Sequence, residues 1–291
     1  MSKIEKALQK AMETRGSQAD SPKPQNTRQH DTRQQPAADT HVFEATAMAV
    51  DPAIVDRHVI CITEPFSVIA EQYKRMRAKI LRDTSRENRN IMMVTSANMS
   101  EGKSITAANL AVSIAQDIDH TVLLVDTDLR RPSLHAYFGL DPKYGLSDYL
   151  QGTKELPEVL IKTGIGKLVF LPAGQAVENP SELLASTRMR ELVQEMKNRY
   201  KDRYVIFDTS PLLVTADSIS MSRYMDGIIF VVQSDQTHKK DAAKALSMVK
   251  GVPIIGVVMN DVPEYLSSDK NDYYRYGYYT RPTAGASKSD Q

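Results

Sequence analysis

One stretch of the sequence combines residue types and a spacing that suit the binding of a phosphate group. A short apolar run begins at Ile91, passes into polar residues and ends in Gly102-Lys103-Ser104, where a helical pattern opens. Backbone N–H groups of such a turn, together with the positive end of the following helix, attract anions. We therefore predict a phosphate-binding loop in which Lys103 contacts the β- and γ-phosphates of a nucleotide and the Ser104 hydroxyl coordinates Mg²⁺.

The loop departs from the common pattern G-x-x-x-x-G-K-S at its first position, where Ala97 replaces glycine. A single near-match of this kind can arise by chance, so the rest of the chain has to support it. The residues expected to contact the nucleotide are Ala97, Asn98, Met99, Ser100, Glu101, Gly102, Lys103, Ser104 and Ile105.

Carboxylates follow two of the apolar runs that are expected to be strands. Asp126 and Asp128 come after residues 122–125, and Asp208 comes after residues 205–207. The carboxyl ends of parallel strands meet at one edge of a sheet, where ligands bind. A single Asp at such a position often only caps a turn. Three of them beside a phosphate-binding loop favour a site for Mg²⁺, which prefers oxygen ligands.

Short apolar runs alternate with helical patterns along the chain. The strands are expected at residues 91–94, 122–125, 168–171, 204–207, 228–232 and 254–259, with an edge strand at Val59-Ile60-Cys61-Ile62. The helices are expected at residues 65–81, 103–116, 181–199 and 239–250. Buried strands that alternate with helices predict an α/β fold, with a mostly parallel sheet and helices on both faces.

The sequence divides into three parts. Residues 1–57 combine a short helix with a disordered linker, because residues 16–40 contain no aromatic residue and no Val, Ile, Leu or Met to bury. Residues 58–264 form the α/β domain, and residues 265–291 form a flexible tail rich in tyrosine. The apolar spacing in residues 1–15 fits a frayed helix and a docking segment equally well.

Composition excludes several classes of protein. The net charge of +1 gives no electrostatic reason to expect nucleic acid as a partner. Cys61 is the only cysteine, which excludes an intrachain disulfide and argues against a cysteine-based zinc site. The N-terminus lacks the apolar segment of a signal peptide, and the apolar runs are too short to span a membrane. We expect a cytoplasmic protein.

Together the motifs resemble those of the bacterial tyrosine kinases (BY-kinases), which drive exopolysaccharide and capsule assembly. The loop is similar to that family's Walker A form, in which alanine at the first position is familiar and Glu-Gly-Lys-Ser ends the motif, although Met99-Ser100 stands where Pro-Gly is common. Residues 124–132 resemble its Walker A′ motif, residues 205–211 its Walker B motif and residues 179–184 the segment before Walker B. The resemblance covers roughly residues 60–280 and implies a P-loop NTPase of the deviant-Walker type.

The resemblance implies an enzyme that uses ATP and Mg²⁺ to phosphorylate protein tyrosine. Lys103 would contact the phosphates, and Ser104 would coordinate Mg²⁺ together with Asp126 and Asp208. Asp126 and Asp128 would also help to activate the attacking tyrosine hydroxyl. The expected catalytic set is therefore Lys103, Asp126, Asp128 and Asp208.

Glu71, Lys74 and Arg77 recur every three residues along the helix predicted at residues 65–81. Such a series is usually a solvated helix face, but it resembles the family's oligomerisation motif E-x-x-R-x-x-R. The resemblance implies a homo-oligomer interface, which could close into a ring. Lys74 occupies the middle position, and because lysine lacks the bidentate fork of arginine, weaker assembly is expected.

Tyrosines concentrate near the C-terminus, with Tyr265 followed by a dense cluster. A buried cluster would require partners for many phenol groups at once, so an exposed segment is expected. The resemblance implies that these are autophosphorylation sites, modified in trans within an oligomer. Each phosphate adds about −1.5 to −2 charge, which should weaken the assembly. The expected sites are Tyr273, Tyr274, Tyr276, Tyr278 and Tyr279.

Two other functions remain open on the sequence. A partitioning or cell-division ATPase shares the fold, but it carries a second lysine near the start of the loop, where this chain has Asn98. A nucleotide-gated scaffold without catalysis is the other alternative.

The resemblance also implies a partner. That partner is a separate membrane protein of the polysaccharide chain-length-determinant type, which would activate the chain and recruit it to the inner face of the cell membrane. The opening residues Ser2-Lys3-Ile4-Glu5-Lys6-Ala7-Leu8 resemble a subgroup associated with exosortase loci.

Overall fold

The computed structural model describes residues 46–85, 89–199 and 203–263, all of which lie in one folded unit. The helix expected in residues 1–15, the linker after it and the tyrosine-rich tail lie outside the described residues. Among the residues that are described, no helix has the length and apolar character needed to cross a bilayer.

In the described part of the chain, eight strands form one sheet. Their order in the sheet is β1-β4-β5-β3-β6-β2-β7-β8, and every neighbouring pair is parallel except β4 and β5. The mostly parallel sheet predicted from the sequence is thus confirmed. The strands are β1 (Thr46–Ala47), β2 (Ile91–Ser96), β3 (Thr121–Asp126), β4 (Ile161–Lys162), β5 (Leu168–Leu171), β6 (Arg203–Asp208), β7 (Gly227–Gln233) and β8 (Ile254–Asn260).

Helices connect the strands and cover both faces of the sheet. They are α1 (Ile60–Thr63), α2 (Val68–Ser85), α3 (Lys103–Ala115), α4 (Leu134–Tyr137), α5 (Leu146–Gln151), α6 (Leu156–Val159), α7 (Pro180–Leu184), α8 (Thr187–Arg199), α9 (Asp217–Ser222) and α10 (Lys239–Met248). Successive residues of a strand face opposite sides. Ile91 and Met93 of β2 therefore belong to one apolar core, and Met92 and Val94 belong to the other.

The register of the central strands brings polar residues together at one edge. Asp126, the last residue of β3, lies directly beside Asp208, the last residue of β6. On the other side of β6, Val94 of β2 lies opposite Asp208, and β2 continues to Ser96 before the loop begins. The loop therefore leaves the sheet next to two carboxylates, at the edge where parallel sheets bind ligands.

The edge strand predicted at residues 59–62 is wrong, because this stretch forms helix α1. The Cys61 N–H donates to the side-chain oxygen of Asn109 in α3, at 2.9 Å, and not to a neighbouring strand. The Asn109 amide nitrogen in turn donates to the carbonyl oxygen of His58, at 2.7 Å. A short apolar run does not by itself distinguish a strand from a helix that packs on another helix.

Two predicted helix boundaries also differ. Helix α2 begins at Val68, three residues later than expected, because the Ser67 side chain accepts the N–H of Ala70 at 3.1 Å and caps the first turn. The continuous helix predicted at residues 181–199 is divided into α7 and α8. Ser186 accepts the N–H of Met189 at 3.1 Å and starts the second of them.

Residues 46–57, which the sequence assigns to the linker, contribute to the fold. Thr46 and Ala47 form β1, which pairs with β4 at the edge of the sheet. Val55 is buried against the core that also contains the alanines of α3. The sequence gives little sign of this, because the apolar residues of the stretch follow neither a clear helical nor a clear strand period.

Candidate active site

The loop between β2 and α3 has the backbone shape that its glycine requires. Gly102 has a φ of +90°, and a Cβ atom added there would lie 2.0 Å from Nδ2 of Asn260. No other residue type fits that position without displacing its neighbours. Ala97 is fully buried in the core, and its φ is not positive, so the fold does not need glycine at the first position of the motif.

Lys103 lies between two carboxylates at the start of α3. Its Nζ atom is 3.6 Å from Oδ2 of Asp128 and 3.5 Å from Oδ1 of Asp208, and it donates to the Ser104 hydroxyl at 2.9 Å. Burial disfavours the charged ammonium, but the negative charges of Asp208, Asp128 and Asp126 outweigh it and raise the pKa of Lys103. The lysine is therefore cationic in the resting protein, as phosphate binding requires.

Asp126 is fully buried, and burial followed by the charge of Asp208 raises its pKa to about 7. Its Oδ1 accepts the N–H of Asp128 at 3.0 Å, and its Oδ2 accepts the N–H groups of Leu134 at 3.2 Å and Ser133 at 3.4 Å. The carboxyl group thereby holds together the turn that follows β3. Backbone donors partly offset the effect of burial on the pKa.

Asp208 presents the oxygen atoms best suited to a metal ion. Both carboxylate oxygens are buried, and neither has a hydrogen-bond partner within the described residues. Burial raises the pKa of Asp208, opposed chiefly by the charge of Lys103. Oδ1 is 3.5 Å from the Lys103 ammonium, but buried oxygens without a hydrogen bond are costly unless a further ligand satisfies them.

The donor set fits Mg²⁺ in the form in which it accompanies a nucleotide. Within the described ranges, no group of three or more acidic, histidine or cysteine residues could hold a metal ion by itself. Mg²⁺ is commonly bound by one or two carboxylates together with phosphate oxygens and water. Asp208 and the Ser104 hydroxyl could supply the protein ligands of such an ion.

A second set of contacts, which the sequence analysis missed, braces the segment after β3. Arg130 donates to the Asp217 carboxylate through Nε at 2.8 Å and Nη2 at 3.3 Å, and through Nη2 to the Ser181 hydroxyl at 3.2 Å. Ser181 also donates to Asp217. Arg130 and Ser181 stand in the quoted motifs, but nothing in the sequence marks Asp217 as their partner.

The loop is also attached to the ends of β7 and β8. The Glu101 carboxylate accepts the Thr237 hydroxyl at 2.6 Å, and the Glu101 carbonyl oxygen accepts Nδ2 of Asn260 at 3.3 Å. Neither Thr237 nor Asn260 was a candidate from the sequence. The contacts join residues 136 and 159 positions apart, and no local pattern reports such distances.

The charged series on α2 lies apart from this site and makes contacts within its own chain. Nζ of Lys74 is 3.4 Å from Glu71 and donates to the carbonyl oxygen of Pro65 at 3.2 Å. Arg77 donates to the carbonyl oxygen of Ser113 in α3 at 2.6 Å. The series is half-buried against the chain's own helices, and its role as an oligomer interface stays a prediction. The tail tyrosines lie outside the described residues.

Comparison with known proteins identifies relatives over most of the chain. The ParA family profile, described as NUBPL iron-transfer P-loop NTPase, matches residues 87–278. Tyrosine-protein kinase YwqD of Bacillus subtilis (strain 168) is 37% identical over 228 residues, which cover 77% of this chain and 92% of the relative. Tyrosine-protein kinase etk of Escherichia coli (strain K12) is 32% identical over 205 residues, which cover 70% of this chain but 28% of the relative.

Solved structures give the same result. The kinase domain of Escherichia coli tyrosine kinase ETK matches with a TM-score of 0.67 and 31% identity, over 72% of this chain and 82% of that one. The chimerical protein CapA2B2 matches with a TM-score of 0.66 and 30% identity, over 75% of this chain and 93% of that one.

The fold and the loop define the chain as a P-loop NTPase, a class that binds nucleotides. Within that class, the chain belongs to the bacterial tyrosine-protein kinase family. The kinase class expected from the sequence is therefore confirmed. Partition ATPases share the fold with this chain but are only distantly similar to it.

Proposed function

We propose that the chain is an ATP- and Mg²⁺-dependent autokinase that phosphorylates tyrosines of its own C-terminal tail in trans. The observation that carries the proposal is the position of Lys103, 3.6 Å from Asp128 and 3.5 Å from Asp208, at the end of a phosphate-binding loop. A nucleotide phosphate in the loop would meet this lysine and the loop N–H groups together.

The chain's own residues would chiefly position the nucleotide and the metal ion and neutralise the charge of the phosphates. When bound, Mg²⁺ would neutralise the phosphates and ATP would supply the phosphoryl group. Lys103 would turn from the carboxylates towards the phosphate oxygens, while Ser104 and Asp208 would hold the metal ion. Phosphoryl transfer depends mainly on such positioning and on electrostatic stabilisation.

Asp128 is the carboxylate best able to meet an acceptor tyrosine. Its side chain is 14% exposed, whereas Asp126 is fully buried and occupied with backbone donors. The phenol oxygen would form a bond to the γ-phosphorus as the bond to ADP breaks, and the phenol proton would pass to Asp128. Asp126 would contribute by fixing the turn that carries Asp128.

The acceptors would be Tyr273, Tyr274, Tyr276, Tyr278 and Tyr279. Phosphorylated tails would repel an acidic, nucleotide-loaded site, so modification would loosen an oligomer built through Glu71, Lys74 and Arg77. If phosphorylated and unmodified protein showed the same oligomer distribution in solution, this part of the proposal would be wrong.

We also propose a partner at the membrane. Relatives such as etk are much longer, since this chain spans 28% of that protein, whereas it spans 92% of YwqD. A separate membrane protein of the polysaccharide chain-length-determinant type would activate the chain and hold it at the inner face of the cell membrane. The process it serves would be exopolysaccharide or capsule polymerisation and export, in the exosortase-associated subgroup.

The test incubates the full chain with Mg²⁺ and ATP, with and without a cytosolic fragment of the partner, and probes for phosphotyrosine. Lys103→Met and a deletion after Tyr265 should abolish the signal, whereas Lys250→Met, which changes an exposed lysine, should keep it. Phosphotyrosine that persists in Lys103→Met would indicate a contaminating kinase. ATP hydrolysis without phosphotyrosine under every condition would favour an ATPase switch.

A further inference from the structure

Glu101 places a buried carboxylate in the loop that is proposed to bind phosphate. It is 3% exposed, and its side chain turns back into the protein. Oε2 accepts the backbone N–H of Asn98 at 2.9 Å, and Oε1 accepts the Thr237 hydroxyl at 2.6 Å and the Asn98 side-chain amide at 3.4 Å. A carboxylate near phosphates is electrostatically unfavourable, so its burial here calls for a compensating role.

Thr237 is itself held firmly. Its Oγ1 accepts the N–H of Gln233 at 2.8 Å, and its own N–H donates to the Gln233 carbonyl oxygen at 3.0 Å. These bonds close the turn between β7 and α10, in which Asp235 has a φ of +57°. The turn is also tied to β8, because the N–H of Ser234 donates to the carbonyl oxygen of Asn260 at 2.9 Å.

The hydroxyl of Thr237 therefore connects a rigid turn to the middle of the phosphate-binding loop. One carboxylate oxygen of Glu101 accepts a hydrogen bond from this hydroxyl, and the other accepts one from the backbone N–H of Asn98. The Glu101 side chain therefore bridges the turn and the phosphate-binding loop. Hydrogen bonds to an ionised group are roughly twice as strong as neutral ones. Without the bridge, the loop would still be joined to the end of β8, where Nδ2 of Asn260 donates to the Glu101 carbonyl oxygen, but it would lose its direct side-chain bond to the turn.

We propose that Glu101 and Thr237 are positioning residues that hold the phosphate-binding loop in the shape that accepts a nucleotide. The proposal rests on the nucleotide binding proposed above. A loop that is already ordered loses less conformational freedom when ligand binds, so the bridge should improve affinity for the nucleotide. Glu101 itself does not touch the phosphates in this role.

The test measures the affinity of the full chain for a fluorescent ATP analogue with Mg²⁺. Thr237→Val keeps the side-chain shape but removes the hydroxyl, and with it both the bond to Glu101 and the bond from the Gln233 N–H, and it should weaken binding about three- to tenfold. Thr237→Ser keeps the hydroxyl and should bind like wild type. Thr153→Val, which removes an exposed hydroxyl bonded to Asp148 away from the site, is the matched control and should bind like wild type.

Glu101→Gln separates positioning from charge. If the bridge positions the loop, the amide should weaken binding, because it accepts fewer hydrogen bonds and carries no charge. If the carboxylate acted mainly by repelling phosphates, the same variant would bind more tightly, and the proposal would be overturned. The double variant with Thr237→Val should be little weaker than either single variant, since both remove one bridge.

Three further results would overturn the bridge. They are wild-type affinity in Thr237→Val, equal loss in Thr237→Ser, and strictly additive loss in the double variant. Denaturant unfolding without nucleotide shows whether each variant is folded. A loss of affinity is interpreted only for variants that are folded. A wild-type chain that does not bind the analogue would refute the proposed function as well, whereas normal wild-type binding with an unaffected Thr237→Val refutes the bridge alone.

Discussion

Ser100 has a φ of +63°, in the left-handed region that L-residues seldom adopt. It stands with Met99 where the family often has Pro-Gly, and the backbone has kept the shape for which glycine is the natural choice. The left-handed conformation costs a residue with a Cβ atom about 1–2 kcal/mol. Strain of this size is often retained close to functional sites.

We predict that Ser100→Gly stabilises the protein. The gain should be about 0.5–1 kcal/mol, because relief of the left-handed strain exceeds the extra entropy of glycine in the unfolded chain. Denaturant unfolding measures it directly. Met99→Gly is the matched control, since Met99 is exposed and has no positive φ, and it should give no gain. Equal effects of the two glycines would contradict the strain argument.

Asp126 should make the stability of the metal-free protein depend on pH. Its pKa is about 7 in the folded protein and near 3.8 when unfolded, so the folded state holds the extra proton between these values. The contribution of Asp126 to stability should therefore fall as the pH rises from about 4 to about 7 and change little above that range. Asp126→Asn should remove this part of the slope in denaturant unfolding, and a wild-type slope in the variant would refute the assignment.

At the scale of elements, Arg130 joins the segment after β3 to α7 and α9. The Asp217 side chain is 3% exposed, whereas that of Arg130 is 43% exposed, so the carboxylate depends more on the pair than the guanidinium does. Removing Arg130 takes the paired cation away from the buried carboxylate, which keeps the hydrogen bond from the Ser181 hydroxyl.

We predict that Arg130→Ala lowers the free energy of unfolding by about 1–3 kcal/mol, reduced from the fully buried case because the arginine is half exposed. Asp217→Asn should cost less, since it removes the buried charge itself. The double variant should cost less than the sum of the single ones. Strict additivity in denaturant unfolding would show that the pair is not coupled.

The strands and helices also show how much of the structure can be predicted from the sequence. The central strands were found because they are buried on both faces and appear as continuous apolar runs. Residues 59–62 were misassigned because a short apolar run fits α1 as well as a strand. The loop, Lys103 and the carboxylates at the strand ends follow from topology once the sheet is known to be parallel. Thr237, Asn260 and Asp217 could not be found, because their partners are distant in sequence.

For the whole molecule, the proposed reaction between chains predicts the outcome of a mixing experiment. Full-length Lys103→Met serves as an inactive acceptor, and an active chain deleted after Tyr265 serves as a donor without its tail. Phosphotyrosine should appear on the Lys103→Met chain when the two are mixed with Mg²⁺ and ATP, and on neither alone. An unmodified acceptor beside a wild-type chain that modifies itself would establish reaction within one chain.

The attachment of β8 to the phosphate-binding loop has a kinetic consequence. Asn260 contacts the loop at Glu101 and Gly102, so each chain leaves the sheet beside its own nucleotide site. The stretch from Asn260 to Tyr273 can extend to at most about 45 Å. Within an oligomer, a tether of this length gives an acceptor tyrosine an effective concentration on the order of millimolar at the site of a neighbouring chain that lies within reach. Which tyrosines are phosphorylated would then depend more on whether the tail can extend to the site than on recognition of the side chains that flank each tyrosine.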